Sequence, residues 1–350
     1  MNPQLGLVSR YDFRGVTQTF IHPAGRVHVD ELGDGKREIW LELADPEADH
    51  GGTRWETKYP LDLIESVLAV KGLYVCDEIR RDEDPSYVQR NLKHAVLGYL
   101  DSEAFVGKRI LDLGCGCGSS SVNLTRLIGG DVEIVGVDLE QEYVNLANKR
   151  ARYYGMSNLS FFHSPDSQSL PEGISDFDFI ILSAVYEHLL PAERAALLPT
   201  LWGHLRPGGV LFINQLPHRY SPVDHHTTRL PLINYLPDKL AHRYAVAFSP
   251  RVEKGPSWET LLRRGVRGGT ANEILGILRT AAPEEPLLLE PNQSGMRDRI
   301  DLWYQLSSGA RLAGMKRAIR AVLKTLRGTT GITFVPWLSL AIKKPEASPG

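Results

Sequence analysis

The sequence is poor in the features that mark secreted, membrane-spanning and nucleic-acid-coating proteins. It has 3 cysteines in 350 residues, too few for a disulfide framework, and the spacing of Cys115 and Cys117 does not match zinc ligands. Neither has a neighbouring histidine or base, so we expect both to be structural. The longest apolar runs, residues 179–185 and 332–342, are much shorter than the roughly 20 residues that span a bilayer. The net charge of −2 disfavours a general nucleic-acid coat protein.

Other absences place the chain among ordinary globular proteins. The first twenty residues lack the apolar stretch of a secretory signal, so we expect a cytoplasmic protein in a reducing compartment. With 42% apolar, 8% aromatic and 23% charged residues, the composition disfavours disordered, collagen-like and coiled-coil structures. A chain of this length forms one large domain with additions, or two small ones.

Short apolar strands alternate with helices from residue 109 onward. The strand-like segments are residues 109–113, 132–137, 159–162, 177–182 and 210–214. Helical patterns lie between them near residues 119–128, 140–154 and 191–205. Near-continuous apolar strands separated by helices predict an α/β fold: a doubly wound, mostly parallel sheet that is buried on both faces.

The remaining segments are expected to surround this core, which we assign to residues 105–216. Residues 1–104 predict an N-terminal cover made of a hairpin, with strands at 27–29 and 39–43, followed by helices. The proline-rich residues 217–310 are expected to form an insertion after the fifth strand, with helices near 230–241, 257–264 and 271–280. Residues 311–350 predict a helix at 311–327 and a last core strand within 332–343.

A glycine-rich turn follows the first core strand. The sequence I-L-D-L-G-C-G-C-G carries Gly114, Gly116 and Gly118 to the start of a helix near Ser119. Glycines allow a tight turn and a close approach of ligand to backbone, which predicts a nucleotide-like ligand. Asp138, at the end of the next strand, is placed to accept hydrogen bonds from ribose hydroxyls. Ser119 stands where a dinucleotide motif has its third glycine, so a pyrophosphate site is not indicated.

These segments together resemble the class I S-adenosylmethionine-dependent methyltransferases over about residues 105–216. The resemblance implies a Rossmann-like sheet of seven strands and S-adenosylmethionine as the cofactor. Asp138 matches the family's ribose ligand, and Asp166 with Ser167 matches the residues that read adenine, although Asp166 is also suited to capping its own loop. The cofactor-binding residues that the resemblance implies are Asp112, Gly114, Cys115, Gly116, Gly118, Asp138, Leu139, Asp166, Ser167 and Ser183.

The resemblance implies methyl transfer, and we predict O-methylation of a hydroxyl on a sugar, glycan or related small metabolite. Such an acceptor is neutral at pH 7 and needs a proton acceptor, for which histidine is suited. The predicted catalytic residues are His188, after the fourth strand, and His225 and His226, in the loop after the fifth. The alternative is that His188, with Glu187, orients its helix and lines the pocket, and that the other two are plain loop residues.

Three further features have two interpretations each. His218, His225 and His226 lie near Asp224, a combination of residue types that also occurs in metal sites. They lack a recognised ligand spacing, however, so we expect no metal site. Three basic residues near position 265 are suited to holding an acceptor phosphate or carboxylate, or to lying in solvent at a helix end; these are Arg263, Arg264 and Arg267.

The third feature is the helix at 311–327, which combines an apolar stripe with six basic and no acidic residues. It is suited to contact with anionic lipid, which would fit a lipid-linked acceptor, or to packing on the sheet.

Several functions remain open as alternatives. Within the class they are N- or C-methylation of a metabolite and methylation of RNA, although no basic tract with interleaved aromatic residues favours RNA. An inactive, cofactor-binding scaffold subunit is a second class. Nicotinamide-dependent reduction is disfavoured because Tyr186 has no lysine four residues later. The oligomeric state is not indicated by the sequence.

Overall fold

A computed structural model describes residues 6–12, 15–46, 50–253, 255–281, 284–307, 313–331 and 333–346. Two sheets organise these residues. The strands of the first are β1 (Gly6–Asp12), β2 (Gly15–His22), β3 (Gly25–Gly33), β4 (Lys36–Leu43) and β5 (Arg54–Thr57). The strands of the second are β6 (Lys108–Leu113), β7 (Val132–Asp138), β8 (Leu159–His163), β9 (Phe177–Ser183), β10 (Leu205–Pro217), β11 (Leu287–Leu288) and β12 (Trp337–Lys343).

Helices follow or flank most of these strands. They are α1 (Leu61–Lys71), α2 (Val75–Glu83), α3 (Pro85–Leu97), α4 (Ser119–Ile128), α5 (Gln141–Tyr153), α6 (Pro191–His204), α7 (Asp238–Phe248), α8 (Trp258–Arg263), α9 (Ala271–Ala281), α10 (Arg299–Leu306) and α11 (Ala313–Thr330). Short 3-10 turns occur at Gly72–Tyr74, Ser102–Phe105, Tyr186–His188 and Ile233–Tyr235.

The second sheet has the doubly wound topology that the sequence predicts. Its strand order is β11-β12-β10-β9-β6-β7-β8, in which β6 to β10 are parallel and β12 is antiparallel to β10. The chain order reverses at β6, which lies between β7 and β9. The carboxyl ends of these strands therefore border the crevice in which such sheets bind ligands. The predicted Rossmann-like fold and its seven strands are confirmed.

Each face of this sheet carries its own apolar core. On one face Leu111 and Ile180 pack with Leu198 of α6, and on the other Ile110 and Phe179 pack beneath α3, α4 and α5. Neighbouring residues of a strand point to opposite faces, so a strand buried on both sides must be apolar at successive positions. This is the physical origin of the pattern that predicts the core.

The N-terminal cover is larger than the predicted hairpin. The hairpin itself is present, because β3 pairs with β4 and places Val29 opposite Ile39, with a turn at Asp34 and Gly35. Strands β1 and β2 extend it on one side and β5 on the other, which gives a five-stranded antiparallel sheet. The pattern does not reveal these additions because β5 has only four residues and β2 has three consecutive polar residues, Thr17 to Thr19, instead of an apolar–polar alternation. The apolar face packs against α1, including Ile64.

Helix α2 is a second element that hydrophobic periodicity does not predict. Six of the nine residues in its sequence V-C-D-E-I-R-R-D-E are charged, and only Val75, Cys76 and Ile79 are apolar. Nevertheless Asp77, Glu78 and Asp82 are buried. Two of these carboxylates face Arg150 of α5, so the helix packs on the core through ion pairs as well as apolar contacts.

The segment after β10 consists of two structurally different parts. Its first part, with α7 and α8, has a small apolar core of its own, which includes Leu230, Ala241 and Leu261. The helix expected near 230–241 is instead a 3-10 turn followed by α7, because Pro237 precedes the first turn of that helix.

The second part returns to the central sheet. Strand β11 pairs with β12, and Leu289 N donates to Ala341 O at 2.9 Å. The helix predicted at 311–327 is α11, although Arg311 and Leu312 lie outside the described residues. The last core strand is β12.

Candidate functional site

The three glycines of the turn after β6 have backbone conformations that other residues rarely adopt. Their φ angles are +72° at Gly114, +54° at Gly116 and +83° at Gly118. A Cβ at Gly114 would lie 2.4 Å from Cγ2 of Val185, and one at Gly118 would lie 2.9 Å from Cβ of Ala147. At Gly116 no described protein atom lies within 4 Å of that position. The turn is therefore closely packed at two glycines and open at the middle one, as a ligand approaching its backbone requires.

Asp138 ends β7 and connects it to the glycine turn. One carboxylate oxygen accepts from Gly116 N at 2.8 Å and the other from Glu140 N at 3.0 Å. These bonds place a half-buried anionic group at the mouth of the crevice. Leu139 follows it and is 49% exposed.

The buried residues of the turn are structural in character. Asp112 is buried and accepts from Ser121 Oγ at 2.6 Å, and burial raises the pKa of its carboxyl to about 6. Burial also raises the pKa of Cys117 to about 12 and that of Cys115 well above its ordinary value. Both side chains are therefore neutral thiols at pH 7, which agrees with the structural role expected for them.

A cleft with an empty volume of about 430 Å³ opens at the carboxyl ends of β6 and β7. Five of the ten predicted cofactor-binding residues line this cleft: Gly114, Asp138, Leu139, Asp166 and Ser167. The other five do not line it: Asp112, Cys115, Gly116, Gly118 and Ser183.

Asp166 fits both of the roles that the sequence left open. It lines the cleft, and its carboxylate also accepts from the backbone N–H groups of Gln168 and Ser169, each at 2.8 Å. These hydrogen bonds lower the pKa of Asp166. Ser167 Oγ donates to Glu193 at 2.7 Å, which ties the same loop to α6.

Ser183 ends β9 beside Asn214 of β10. The hydroxyl of Ser183 and both side-chain atoms of Asn214 are buried without a hydrogen-bond partner among the described residues. Buried polar groups are normally paired, so these atoms are available to a ligand at this strand end.

Glu187, His188 and His226 form a compact group, which we call the His–Glu cluster. One ligand atom from each lies within 4.8 Å of the other two. Glu187 and His188 belong to the 3-10 turn after β9, and His226 comes from the loop after β10. Burial raises the pKa of Glu187 to about 7, whereas burial and then the charge of His188 lower the pKa of His226.

The other predicted histidines lie outside this cluster. His225 is exposed. His218 Nδ1 accepts from Tyr220 N at 3.1 Å, and its ring packs edge-on against Phe334 with the centroids 4.6 Å apart. Burial lowers the pKa of His218 to about 4, so this imidazole is neutral at pH 7.

The arginines proposed to hold an acceptor anion already have partners within the chain. Arg263 binds both carboxylate oxygens of Glu193, each at 2.7 Å. Arg267 is buried and donates to Asn234 O at 2.7 Å and to Asp238 at 2.8 Å. Both guanidinium groups therefore hold segments of the chain together, and contact of Arg263, Arg264 or Arg267 with an acceptor anion stays a prediction.

Arg150 is the most important residue that sequence reasoning missed. Its fully buried guanidinium donates to Cys117 O, to Ser119 Oγ at 2.9 Å and to Glu78 at 3.2 Å. Its Nε donates to Tyr59 Oη at 2.9 Å. The side chain thus fixes the glycine turn from behind and joins it to the N-terminal cover. No local signal identifies it, because its partners are distant in sequence.

Comparison with known proteins agrees with this geometry. A family model described as "Methyltransferase domain" matches residues 110–209. Arsenite methyltransferase of Aquipseudomonas alcaligenes is 31% identical over 31% of this chain and 33% of its own length. Ubiquinone/menaquinone biosynthesis C-methyltransferase of Blochmanniella pennsylvanica is 27% identical over 49% of this chain and 68% of its own length.

Among solved structures, the S-adenosylmethionine-dependent methyltransferase SibL has a TM-score of 0.43 and 13% identity. The match covers 81% of this chain and 62% of that protein. Within the described part of the chain, no helix combines the length and the apolar character needed to cross a membrane. The glycine turn, Asp138, the sheet topology and the matched family model lead to one conclusion: residues 110–209 are a class I S-adenosylmethionine-dependent methyltransferase domain.

Proposed function

We propose that this protein methylates a hydroxyl oxygen of a small metabolite, such as a sugar or glycan, with S-adenosylmethionine as the methyl donor. The observation that carries the proposal is the position of the His–Glu cluster. Val185 lines the cofactor cleft, and Glu187 and His188 follow it after a single residue. An acceptor bound beside this cleft would therefore meet a carboxylate and two imidazoles.

The residues of the cleft fit the cofactor. When bound, S-adenosylmethionine supplies an electrophilic methyl group on a positively charged sulfur. Asp138 offers a carboxylate to ribose hydroxyls, and Gly114 of the glycine turn lines the cleft beside it. Asp166 and Ser167, in the loop after β8, also line the cleft, and there they would hold the adenine.

The cluster supplies what a hydroxyl acceptor needs. A hydroxyl is neutral at pH 7, and its proton must leave as the oxygen is methylated. An imidazole that is neutral near pH 7 can accept this proton directly. The apolar side chains of Val185 and Leu189 at the cleft would limit access of water, and the remaining task of the protein is to align the acceptor.

We further propose that the acceptor is presented at a membrane surface. Four apolar residues of α11 form an exposed stripe; these are Met315, Ile319, Val322 and Leu326. The basic side chains contribute less than the sequence suggests, because several are paired with acidic residues of the core. The apolar stripe, rather than the helix charge, therefore supports a lipid-linked acceptor.

Labelled methyl transfer tests the proposed function. The protein would be incubated with S-adenosylmethionine carrying a labelled methyl group and a panel of monosaccharides, glycans, phenols and amines, and the products identified by mass spectrometry. We expect the label on oxygen, with turnover lowered about 10²- to 10⁴-fold in His226→Ala and retained in His204→Ala. Label on nitrogen or carbon would support the alternative methyltransferases, and binding of cofactor without any transfer would support the scaffold subunit.

A further inference from the structure

The His–Glu cluster brings together residues that are far apart in the sequence. Glu187 and His188 come from the turn after β9, whereas His226 comes from the loop after β10. His188 Nε2 lies 3.9 Å from Glu187 Oε1, and the two imidazole centroids are 5.6 Å apart. The sequence spacing of the loop histidines concealed this group, because its carboxylate and one imidazole belong to another segment.

Glu187 lacks the partners that a buried carboxylate requires. Its side chain is 0% exposed, and neither Oε1 nor Oε2 has a hydrogen-bond donor among the described residues. Burial of an unpaired carboxylate is costly, and native proteins satisfy such groups with donors or cations. The guanidinium of Arg194, which donates to the backbone oxygen of Glu187 at 3.4 Å, is already paired with Glu273 at 2.9 Å.

The hydrogen bonds of both imidazoles leave their Nε2 atoms able to bind a cation. His188 Nδ1 lies 2.8 Å from Arg263 O, a group that only accepts, so Nδ1 carries the proton. His226 Nδ1 lies 3.1 Å from Thr227 Oγ1, whose own proton is donated to Arg264 O at 2.8 Å. The hydroxyl of Thr227 can therefore only accept from His226, so Nδ1 of His226 carries the proton. Metal-binding histidines in proteins commonly have their second nitrogen fixed in this way.

The backbone beside the cluster leaves space for this arrangement. Gly265 has a φ of +88°, and a Cβ there would lie 2.6 Å from Cε1 and 2.7 Å from Nδ1 of His226. The same atom would lie 3.2 Å from Cγ of Glu187. A glycine at this position thus permits the carboxylate and the imidazole to converge.

We propose that the His–Glu cluster binds a divalent transition-metal ion, with Zn²⁺ as its best match, through Glu187, His188 and His226. Two imidazoles and one carboxylate are the ligands of many catalytic zinc sites and leave a coordination position open. The role of the ion rests on the proposed function: the open position would take the acceptor oxygen. Coordination would lower the pKa of the bound hydroxyl, so that its proton would be released to solvent and not transferred directly to an imidazole.

Metal binding is tested on the full chain without methyl donor or acceptor. The metal-free protein would be titrated with ZnCl₂ by calorimetry and with CoCl₂ by visible absorption. We expect saturable binding of one ion, weakened at least about 10- to 100-fold in Glu187→Gln and in His226→Ala. His225→Ala is the matched control, because it removes an exposed neighbouring imidazole outside the cluster and should leave the affinity unchanged.

The outcomes separate this proposal from the proposed function. Circular dichroism would first establish that each variant is folded; His188→Ala provides a further variant if one of the others is not. Absence of saturable binding, or equal affinity in the wild type and the cluster variants, would overturn the metal site even if methyl transfer is observed. Metal binding that depends on the cluster, in a protein that transfers no methyl group, would support the site and contradict the proposed function.

Discussion

At the scale of single residues, carboxylates determine the chemistry of the cofactor cleft. Asp138 is half-buried, holds the glycine turn through Gly116 N and lines the cleft. Asp112 is buried beneath the same turn and is held by Ser121. The first offers its charge to a ligand, whereas the second is shielded from water, so their substitutions should have different effects.

Replacement of Asp138 by Ala should weaken the binding of S-adenosylmethionine. Loss of charge-assisted hydrogen bonds to ribose would cost about 1.5–3 kcal/mol, or roughly 10- to 150-fold in affinity. Calorimetric titration with the cofactor measures this. Asp131→Ala, an exposed substitution just before the same strand, is the control. A folded Asp138→Ala protein with wild-type affinity would remove this residue from the site.

The stability contribution of Asp112 should depend on pH. Burial raises the pKa of its carboxyl from 3.8 to about 6, so the folded state binds the proton more tightly than the unfolded state does. This contribution is fully present below pH 3.8 and is lost as the pH rises through 6. Asn cannot ionise, and it keeps an acceptor for Ser121. The stability of Asp112→Asn relative to the wild type should therefore increase between pH 4 and pH 8, by up to about 3 kcal/mol.

Urea unfolding at several pH values measures this difference. A difference between the two proteins that does not change with pH would show that Asp112 has an ordinary pKa in the folded state.

At the scale of elements, two helices have roles that their own sequences do not reveal. Helix α2 is mostly charged, yet it is buried through its contact with Arg150 of α5. Helix α11 has the strongest amphipathic pattern, yet most of its apolar stripe is exposed, and Leu323 is the residue that packs on the core. In both cases the pairing of charges between elements decides which face is buried.

Replacement of Arg150 by Met should destabilise the fold and loosen the glycine turn. Removal of one partner of a buried ion pair leaves Asp82 and Glu78 buried without their cation, which costs about 3–5 kcal/mol. Urea unfolding measures the loss, and cofactor titration should show weaker binding because Cys117 O loses its donor. Arg152→Met, an exposed change on the same helix, should have little effect. Equal stability of the two variants would contradict this role.

Replacement of Val322 by Asp should reduce the binding of the protein to vesicles. The residue is 58% exposed at the centre of the apolar stripe, and a carboxylate there opposes insertion into the lipid interface. Sedimentation with vesicles that contain anionic lipid measures the bound fraction. Ala321→Asp adds the same charge on a different face of α11 and should have a smaller effect. Absence of vesicle binding by the wild type would contradict the membrane-surface proposal.

At the scale of the whole molecule, the cover and the core share one buried network around Arg150. Tyr59 and Glu78 of the cover and Ser119 of the glycine turn all contact this side chain. We therefore expect ligand binding at the cleft to stabilise the entire fold.

S-adenosylmethionine at 100 times its dissociation constant should raise the free energy of unfolding by about 2.7 kcal/mol. Calorimetric melting should show this as an increase in the melting temperature of the main transition. NADH at the same concentration should produce no increase, since the turn lacks the third glycine of a dinucleotide motif. A shift with NADH alone would favour a reductase over a methyltransferase.

The sequence by itself determined the α/β core, because apolar strands buried on both faces and glycines with positive φ leave local patterns. It also indicated a nucleotide-like ligand, because one helix and one strand separate the glycine turn from Asp138, and the resemblance to methyltransferases implied S-adenosylmethionine as the cofactor. Only the tertiary structure brought Glu187 and His188 to His226, placed Arg150 behind the turn and paired Arg263 with Glu193. These contacts join segments that are distant along the chain, and burial and charge pairing between such segments leave no periodic signal in either of them.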